Sequence, residues 1–362
     1  MKKTITWYCP IQLRNDGYGY AFLNLFSRVD RNAFEVLNSK DAADSGAGPQ
    51  VSGVHISLED GMILSDETFI YLPDSAWSTS DILINNCLPD FYRQMGKYKI
   101  GFTYWETESV PSGWVNYMLE MDEIWTTSEW CGRVFRESTG HKNVQTFKLG
   151  IDPIFNKYED TPSGPFTFMH MGSPSTRKNT QMAVDAFLKL FAGDSNYHLI
   201  IKSIGAPDAR LKSEDGEILG SIYNHPQITV IDRIVNEKYL SRLYEKAHCF
   251  IYPTSGEGWG MMPFQSIAKG IPTICTNYSA CEEYAHLSIP LDYKLGDTDR
   301  VGIYANTQWA LPNFDDLCDK MLYVVSNYHK EKNRALEGSD YIHNNLSWDS
   351  VVKDYNNRLC QI

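Results

Sequence analysis

Short apolar runs alternate with longer amphipathic stretches along the whole chain. This alternation is typical of doubly wound α/β domains, in which helices separate buried parallel strands. In the first half it predicts strands over residues 5–9, 54–58, 68–72, 82–85, 100–104 and 123–127, with helices over 20–29 and 114–121. In the second half it predicts strands over 166–171, 198–202, 228–231, 249–252 and 272–275, with helices over 179–191 and 238–247.

A stretch between the two halves interrupts this pattern. Residues 148–153 are followed by residues 158–165, which are rich in Asp, Pro, Ser and Gly and are typical of a linker. Near the end of the chain, an amphipathic segment over 351–359 predicts a helix that Ser347 or Asp349 begins. We therefore predict a Rossmann-like domain over 1–153, a second one over 154–345 and a C-terminal helical segment over 346–362.

Composition agrees with two globular domains and disfavours several classes of protein. The 362 residues are enough for two cores, and no apolar run approaches the roughly 20 residues of a membrane span. The net charge of -12 disfavours nucleic acid or anionic lipid as a partner, because no run of basic residues offsets it. Eight scattered cysteines without a Cys-x-x-Cys pair indicate reduced, buried thiols rather than disulfides or a zinc site. We expect a cytoplasmic protein, either free or peripheral to a membrane.

The segment from Ser255 to Cys275 carries the most specific chemistry of the chain. It begins Ser-Gly-Glu-Gly-Trp-Gly-Met-Met-Pro-Phe-Gln and continues into a helical run between two predicted strands. A strand, a glycine-rich turn and a helix start form an anion site, because free backbone N–H groups and the helix dipole favour negative charge there. Phosphates would repel Glu257, so this carboxylate is better suited to hydroxyl groups on the same ligand. The pattern indicates a sugar joined to a phosphate.

This segment resembles the donor-binding signature of the glycosyl transferases group 1, which are retaining enzymes of the GT-B fold. The matching positions are Glu257, Gly258, Trp259 in place of Phe, Gly260, Pro263, Ala268, Gly270 and Pro272. Gln265 replaces the second Glu of the family pattern, which usually holds the ribose. The resemblance implies two Rossmann-like domains that face a cleft, with a C-terminal helix that crosses back to the first domain. It also implies donor contacts from Gly258, Trp259, Gly260, Met261, Met262 and Gln265.

Two adjacent cations precede the first helix of the second half. Arg177 and Lys178 lie where the helix dipole is positive, and that cost is tolerable when an anion lies between them and the amides. The family has an Arg-x4-Lys pattern at this turn, in which Lys178 matches the Lys and Ser173 occupies the Arg position. Arg177 is our candidate replacement, and a solvated pair in a surface turn is the alternative. Lys202, at the end of the next strand, is a further candidate for donor binding.

Two segments of the first half resemble the family as well. Gly17 and Gly19 follow the first predicted strand, where glycine lets the backbone approach a ligand phosphate, although a plain loop before a helix is the alternative. Residues 101–115 resemble a family variant that contains Phe-Glu-Thr and Pro-x-x-Trp-Val. In this segment Glu106 ends a predicted strand, where open α/β sheets bind ligands. Glu106 is our candidate for facing the acceptor or the transferred sugar, and a polar helix cap is the alternative.

No metal site is expected, because the resemblance implies that basic residues and helix dipoles stabilise the leaving diphosphate. The Asp-Thr-Asp sequence at 297–299 imitates the metal-binding motif of the other main glycosyltransferase fold. We interpret it as coincidence, since it lies in a late polar loop. The catalytic histidine of many relatives has three candidates here, His55, His141 and His170, and none of them fits well.

We predict a glycosyltransferase that moves a sugar from a nucleotide-sugar donor to an acceptor, with retention of anomeric configuration implied by the family. Glu257 would hold the sugar, while Lys178 and Arg177 would hold the diphosphate, and no cofactor is expected beyond the donor substrate. The acceptor stays open among a glycan, a lipid-linked sugar, a protein and a nucleic acid. The alternatives are a pseudoenzyme that binds without transfer, a DNA-modifying glycosyltransferase, and a nicotinamide dehydrogenase, for which the G-x-G-x-x-G pattern is missing.

Overall fold

The computed structural model describes residues 2–10, 17–39, 80–203, 205, 210–212, 218–298 and 302–362. Its strands are β1 (Lys3–Tyr8), β2 (Phe34–Ser39), β3 (Ile82–Asn86), β4 (Tyr98–Phe102), β5 (Glu123–Thr126), β6 (Val144–Thr146), β7 (Phe166–Met171), β8 (Tyr197–Ser203), β9 (Leu211–Lys212), β10 (Ile218–Gly220), β11 (Ile228–Asp232), β12 (Cys249–Tyr252), β13 (Thr273–Thr276), β14 (Ile289–Leu291), β15 (Tyr293–Asp297) and β16 (Gln308–Pro312). Its helices are α1 (Gly17–Phe26), α2 (Trp114–Leu119), α3 (Glu129–Thr139), α4 (Thr180–Phe191), α5 (Glu237–Tyr244), α6 (Met261–Ala268), α7 (Phe314–Ser326), α8 (Tyr328–Asn345) and α9 (Trp348–Gln361).

Two six-stranded sheets organise these elements. The first has the order β2-β1-β3-β4-β5-β6 and the second the order β11-β8-β7-β12-β13-β14. All neighbouring strands in both sheets pair in parallel. In the second sheet the order reverses between β7 and β12, which is the switch point of a Rossmann-type sheet. The α/β doubly wound fold predicted from the apolar pattern is therefore confirmed.

The chain folds into two compact units. Of the described residues, those of 2–150, 302–305 and 346–362 form the first unit, and those of 151–298 and 306–345 form the second. The terminal helix α9 thus belongs to the first unit. No helix in the described ranges has both the length and the apolar character needed to cross a membrane.

Aromatic side chains fill the core of the first unit. Trp7 of β1 is fully buried, and its ring meets Phe22 and Phe26 of α1 edge to face at 6.1 and 6.5 Å between centroids. Edge-to-face pairs of this kind are worth about 0.5–1.5 kcal/mol beyond their buried area. Helix α1 is therefore held flat against the sheet, and it begins at Gly17, earlier than the predicted start at residue 20.

Helix α9 is fixed to the first unit by an ion pair and by close backbone packing. Arg358 donates to both oxygens of Glu123, which is fully buried at the start of β5, and Tyr355 donates to the carbonyl oxygen of Phe147 at 3.2 Å. At Gly150 a Cβ would lie 2.6 Å from the backbone of Trp348, so only glycine lets the first turn of α9 approach so closely. Ser347 caps this helix by accepting a hydrogen bond from Ser350 N–H.

The second unit has an apolar core on one side of its sheet. Helix α4 presents its apolar face to the strands, and Phe187 and Phe191 pack against Phe168 of β7. This face follows the helical period of 3.6 residues, which is why the sequence predicted the helix. None of the eight cysteines, which all lie in the described residues, forms a disulfide, and seven of them are buried.

The predicted elements agree best with the structure at the centre of each sheet. The strands predicted over 166–171 and 249–252 have the observed bounds of β7 and β12, whereas the strand predicted over 100–104 lies at Tyr98–Phe102. The short edge strands β6 and β14 were not predicted. The strands predicted over 54–58 and 68–72, as well as His55, lie outside the described residues.

Candidate functional site

Two loops meet at the switch point of the second sheet. One follows the carboxyl end of β7 and contains Arg177 and Lys178, and the other follows the carboxyl end of β12 and contains Glu257. Because β7 and β12 are neighbours, these loops lie side by side although their residues are about 80 positions apart. Parallel α/β sheets bind ligands at this place.

Several hydrogen bonds fasten the two loops together. Ser255 N–H donates to the carbonyl oxygen of Arg177 at 2.7 Å. Asn179 adopts a left-handed conformation with φ of 50°, and its amide donates to the carbonyl oxygen of Pro253 at 2.8 Å and to Ser255 Oγ at 2.9 Å. Asparagine tolerates this conformation better than most residues. The fixed loops hold the side chains of the site in one arrangement.

One oxygen of the Glu257 carboxylate accepts hydrogen bonds from side chains of both loops at this site. Glu257 Oε1 accepts hydrogen bonds from four groups. They are Arg177 Nη1 at 3.0 Å, Lys178 Nζ at 2.5 Å, Tyr252 Oη at 3.0 Å and Thr254 Oγ1 at 2.8 Å. The backbone of Glu257 is fixed as well, because its N–H donates to Ser279 Oγ at 2.8 Å.

The other oxygen of Glu257 is differently placed. Oε2 accepts no hydrogen bond from the described residues. It is also not among the fully buried polar atoms that lack a hydrogen-bond partner, so it keeps some exposure to solvent. The side chain as a whole is 9% exposed. A carboxylate oxygen can accept more than one hydrogen bond, so Oε2 is available to a ligand that carries hydroxyl groups.

Two basic side chains and one carboxylate interact directly in this cluster. Burial alone would raise the pKa of Glu257, but the charges of Lys178 and Arg177 outweigh it and lower that pKa to about 2. The side chains of Arg177 and Lys178 are only 13% and 12% exposed. Glu257 is therefore ionised at neutral pH, and its contacts with Arg177 and Lys178 are largely shielded from water, which strengthens the interaction between them.

Tyr252 links the lysine to the carboxylate. Lys178 Nζ donates to Tyr252 Oη at 2.9 Å, and Tyr252 in turn donates to Glu257 Oε1. Burial, together with the nearby Glu257 charge, raises the pKa of Tyr252 well above its ordinary value. The tyrosine therefore stays protonated and keeps donating. Sequence analysis missed both Tyr252 and Thr254, and the only available signal was their place at the end of the predicted strand.

Helix α6 begins directly beside this cluster. Gly260 precedes it in a left-handed conformation with φ of 78°, and the first intrahelical bond runs from Phe264 N–H to the carbonyl oxygen of Gly260. The N–H groups of Met261 and Met262 precede that bond and lie at the positive end of the helix dipole. Further along the helix, Gln265 accepts a hydrogen bond from Tyr244 Oη at 3.3 Å.

The remaining predicted site residues lie elsewhere. Lys202 is buried and donates to the carbonyl oxygen of Ser203 at 2.7 Å. In the first unit, Glu106 is half-buried and accepts a hydrogen bond from Tyr304 Oη at 3.2 Å. Gly17 and Gly19 lie within the first turn of α1 rather than in the loop before it, and a Cβ at Gly17 would make an ordinary contact of 3.4 Å with Tyr104 Oη.

The two described candidate histidines have structural hydrogen bonds. His141 contacts the carbonyl oxygen of Met121 through Nε2 and accepts from Asn143 N–H through Nδ1. His170 Nδ1 lies 3.0 Å from the carbonyl oxygen of Ile251, and its Nε2 lies 3.0 Å from Thr180 Oγ1. A carbonyl oxygen only accepts, so Nδ1 of His170 carries the proton and Nε2 accepts from the threonine hydroxyl.

His170 makes the second unit sensitive to acid. Burial, with a smaller contribution from the Lys178 charge, lowers the pKa of His170 from 6.5 to about 4. The pKa of His170 is lower in the folded protein than in the unfolded chain, so the unfolded chain takes up a proton first as the pH falls. The free energy of unfolding is therefore highest above pH 6.5 and decreases as the pH falls towards 4. We expect a loss on the order of 3 kcal/mol over this window. Urea unfolding at about pH 7 and about pH 5 should show about 2 kcal/mol of this loss in the wild type and none in His170→Asn, and an equal loss in both proteins would contradict this assignment.

Metal coordination has no obvious place among these residues. Within the described part of the chain, no group of three or more His, Cys, Asp or Glu side chains is arranged to hold a metal ion. Asp297 lies in β15, and Thr298 donates to the carbonyl oxygen of Thr307 at 3.2 Å.

Comparisons with known proteins agree with this fold. The sequence model of a family described as "Family 4 Glycosyltransferase in conflict systems" matches residues 126–354, which is more than half of the chain. No curated protein matches the sequence.

Solved structures show the same fold at low sequence identity. A sucrose-phosphate synthase from Thermosynechococcus elongatus superposes with a TM-score of 0.70 and 12% identity over 99% of both chains. A glycosyltransferase from Rickettsia africae gives a TM-score of 0.67 and 12% identity over 99% of this chain and 98% of its own. HepE from Anabaena, solved with UDP-glucose, gives a TM-score of 0.66 and 11% identity over 99% of this chain and 100% of its own. The fold is that of the GT-B glycosyltransferases, and the chain belongs to the family-4 glycosyltransferases in conflict systems.

Proposed function

We propose that this protein transfers a sugar from a nucleotide-sugar donor to an acceptor, with retention of anomeric configuration. The observation that carries the proposal is the divided role of the Glu257 oxygens. Oε1 is saturated by four protein donors, while Oε2 reaches solvent and can accept hydrogen bonds from sugar hydroxyls. A carboxylate placed this way suits a neutral polyhydroxylated group better than a phosphate.

The diphosphate of the donor would lie next to that sugar. Arg177 and Lys178 supply two positive charges, and the N–H groups of Met261 and Met262 supply the positive end of a helix dipole. When the bond between the anomeric carbon and the phosphate oxygen breaks, that oxygen keeps the electron pair. Preorganised cations and amides stabilise such charge in a site that excludes water. Leaving-group stabilisation is therefore the main catalytic role that we assign to the second unit.

Nucleotide-sugar binding should be visible as thermal stabilisation. A ligand at about 100 times its Kd stabilises a protein by about 2.7 kcal/mol, which corresponds to a rise of about 3–4 °C in Tm for a protein of this size. We propose UDP-sugars as the first compounds to test, because HepE was solved with UDP-glucose. A thermal-shift screen of UDP-, GDP-, ADP- and TDP-sugars should find at least one that raises Tm in the wild type. No shift with any of them would contradict the proposed donor class.

A pseudoenzyme is the second candidate, and one contact favours it. Gln265 occupies the position that the family resemblance assigns to the ribose, and its carbonyl oxygen lies 3.3 Å from Tyr244 Oη, which is closer to the Met262 carbonyl oxygen at 2.9 Å. This amide lies against a protein hydroxyl and lacks the charge of the Glu that is usual in the family, so it would hold a ribose more weakly. Slow donor hydrolysis without any acceptor distinguishes the two candidates, because a pseudoenzyme binds the donor and leaves it intact.

A further inference from the structure

The cations that would hold the diphosphate are already paired with an anion of the protein itself. Arg177 Nη1 and Lys178 Nζ both donate to Glu257 Oε1, and Arg177 also donates to the carbonyl oxygen of Gly256. A diphosphate that binds here has to compete with that carboxylate for the same donors. It also has to approach a negative charge that stays in place.

We propose that Glu257 is an internal counter-ion that makes the site selective for diphosphates that carry a sugar. This inference rests on the proposed function, because it assigns the diphosphate to Arg177 and Lys178. A bare diphosphate gains the cations but meets the Glu257 charge without compensation. An intact nucleotide sugar offsets that repulsion, because its hydroxyl groups donate to Oε2.

The same contacts favour release of the product after transfer. Transfer removes the sugar hydroxyls and leaves an additional negative charge on the terminal phosphate oxygen. The product therefore loses its hydrogen bonds to Glu257 Oε2 at the moment when its repulsion from Glu257 increases. Glu257 thus speeds release of the nucleoside diphosphate, in addition to holding the sugar of the donor. Specificity of this kind depends on a repulsive element as much as on attractive contacts.

Inorganic pyrophosphate is a suitable probe, because it has the diphosphate charge without a sugar or a base. Isothermal titration in metal-free buffer should show about tenfold tighter binding to Glu257→Gln than to the wild type. Glu257→Asp keeps the negative charge but shortens the side chain by one methylene, so we expect a smaller gain in pyrophosphate affinity. Glu245→Gln is the matched control, because it removes one negative charge of a buried lysine pair, Lys269–Glu245, from the same unit. Its pyrophosphate affinity should equal that of the wild type.

The outcomes separate this inference from the proposed function. Equal or weaker pyrophosphate binding by Glu257→Gln would overturn the inference, and if that variant does not fold, an unchanged affinity in Glu257→Asp would overturn it. If Glu245→Gln gained pyrophosphate affinity to the same degree, the effect would come from net charge alone, and the inference would be overturned as well. If Glu257→Gln gains affinity while the wild type binds no nucleotide sugar, the counter-ion role stands and the proposed function fails.

Discussion

Replacement of Glu257 by alanine should both destabilise the second unit and lower donor turnover by about 100-fold. The substitution leaves Arg177 and Lys178 without the carboxylate that pairs with both of them, although their side chains are only 13% and 12% exposed. Removing one partner of a buried ion pair costs about 3–5 kcal/mol, because an uncompensated charge remains. Loss of the carboxylate also removes the group to which we assign the positioning of the sugar, and misplacement of a substrate lowers the rate by about 100-fold. Urea unfolding and donor hydrolysis, with a donor found by thermal shift, measure the two effects.

A second buried carboxylate provides the matched control for this experiment. Glu123 is fully buried and accepts hydrogen bonds from Arg358, Trp125 and Tyr98, but it lies in the first unit. Glu123→Ala should lose stability to a similar degree and retain the donor hydrolysis of the folded fraction. If Glu257→Ala keeps its hydrolysis rate per folded molecule, Glu257 is a structural residue and the proposed donor site is wrong.

Acid should remove the same interaction that this substitution removes. The pKa of Glu257 is lowered from 4.5 to about 2, so the stability from its ion pairs is present above pH 4.5 and is lost as the pH falls towards 2. The Ala variant lacks that dependence. The difference in stability between the two proteins should therefore shrink as the pH falls below 4.5.

The central strands of both sheets were predictable because they are buried on both faces. The strand β12 reads as a continuous apolar run and β7 is apolar apart from Thr167 and His170, as expected for a parallel sheet covered by helices. The edge strands β6 and β14 have only three residues each, so they carry too little pattern to be recognised. The hairpin of β15 and β16 was missed because polar and apolar residues do not alternate regularly in it.

The residue types of the candidate site were predictable, but the hydrogen bonds between them were not. Glycines, a carboxylate and two cations near helix starts indicated an anion site, and the structure brings Glu257, Arg177 and Lys178 together. No local pattern shows that Tyr252 and Thr254 share one carboxylate oxygen with both cations, because that contact depends on the pairing of β7 with β12. The role of Ser279 in fixing the Glu257 backbone depends on a loop 22 positions away for the same reason.

Replacement of Gly260 by alanine should be the most damaging single-methyl change near the site. Gly260 has φ of 78°, which costs an L-residue about 1–2 kcal/mol. An added Cβ would also lie 2.3 Å from Tyr284 Oη and 3.0 Å from Cys281 Sγ. Such overpacking adds about 1–3 kcal/mol. The expected total is therefore about 2–5 kcal/mol, together with a displaced start of α6 and weaker donor binding.

Gly140→Ala is the control that measures the stability cost of the left-handed backbone without a steric clash. Gly140 caps α3 with φ of 74°, nearly the value of Gly260, but a Cβ there would meet nothing within 4 Å. Gly140→Ala should therefore show only the loss of about 1–2 kcal/mol that the left-handed conformation causes. In the Gly260→Ala background, Tyr284→Phe removes the hydroxyl that the Cβ would strike, so it should restore part of the stability although it also deletes the hydrogen bonds from Tyr284 to Trp259 and Gly260. Equal losses in the two alanine variants, measured by urea unfolding, would show that close packing of Tyr284 does not determine the residue at position 260.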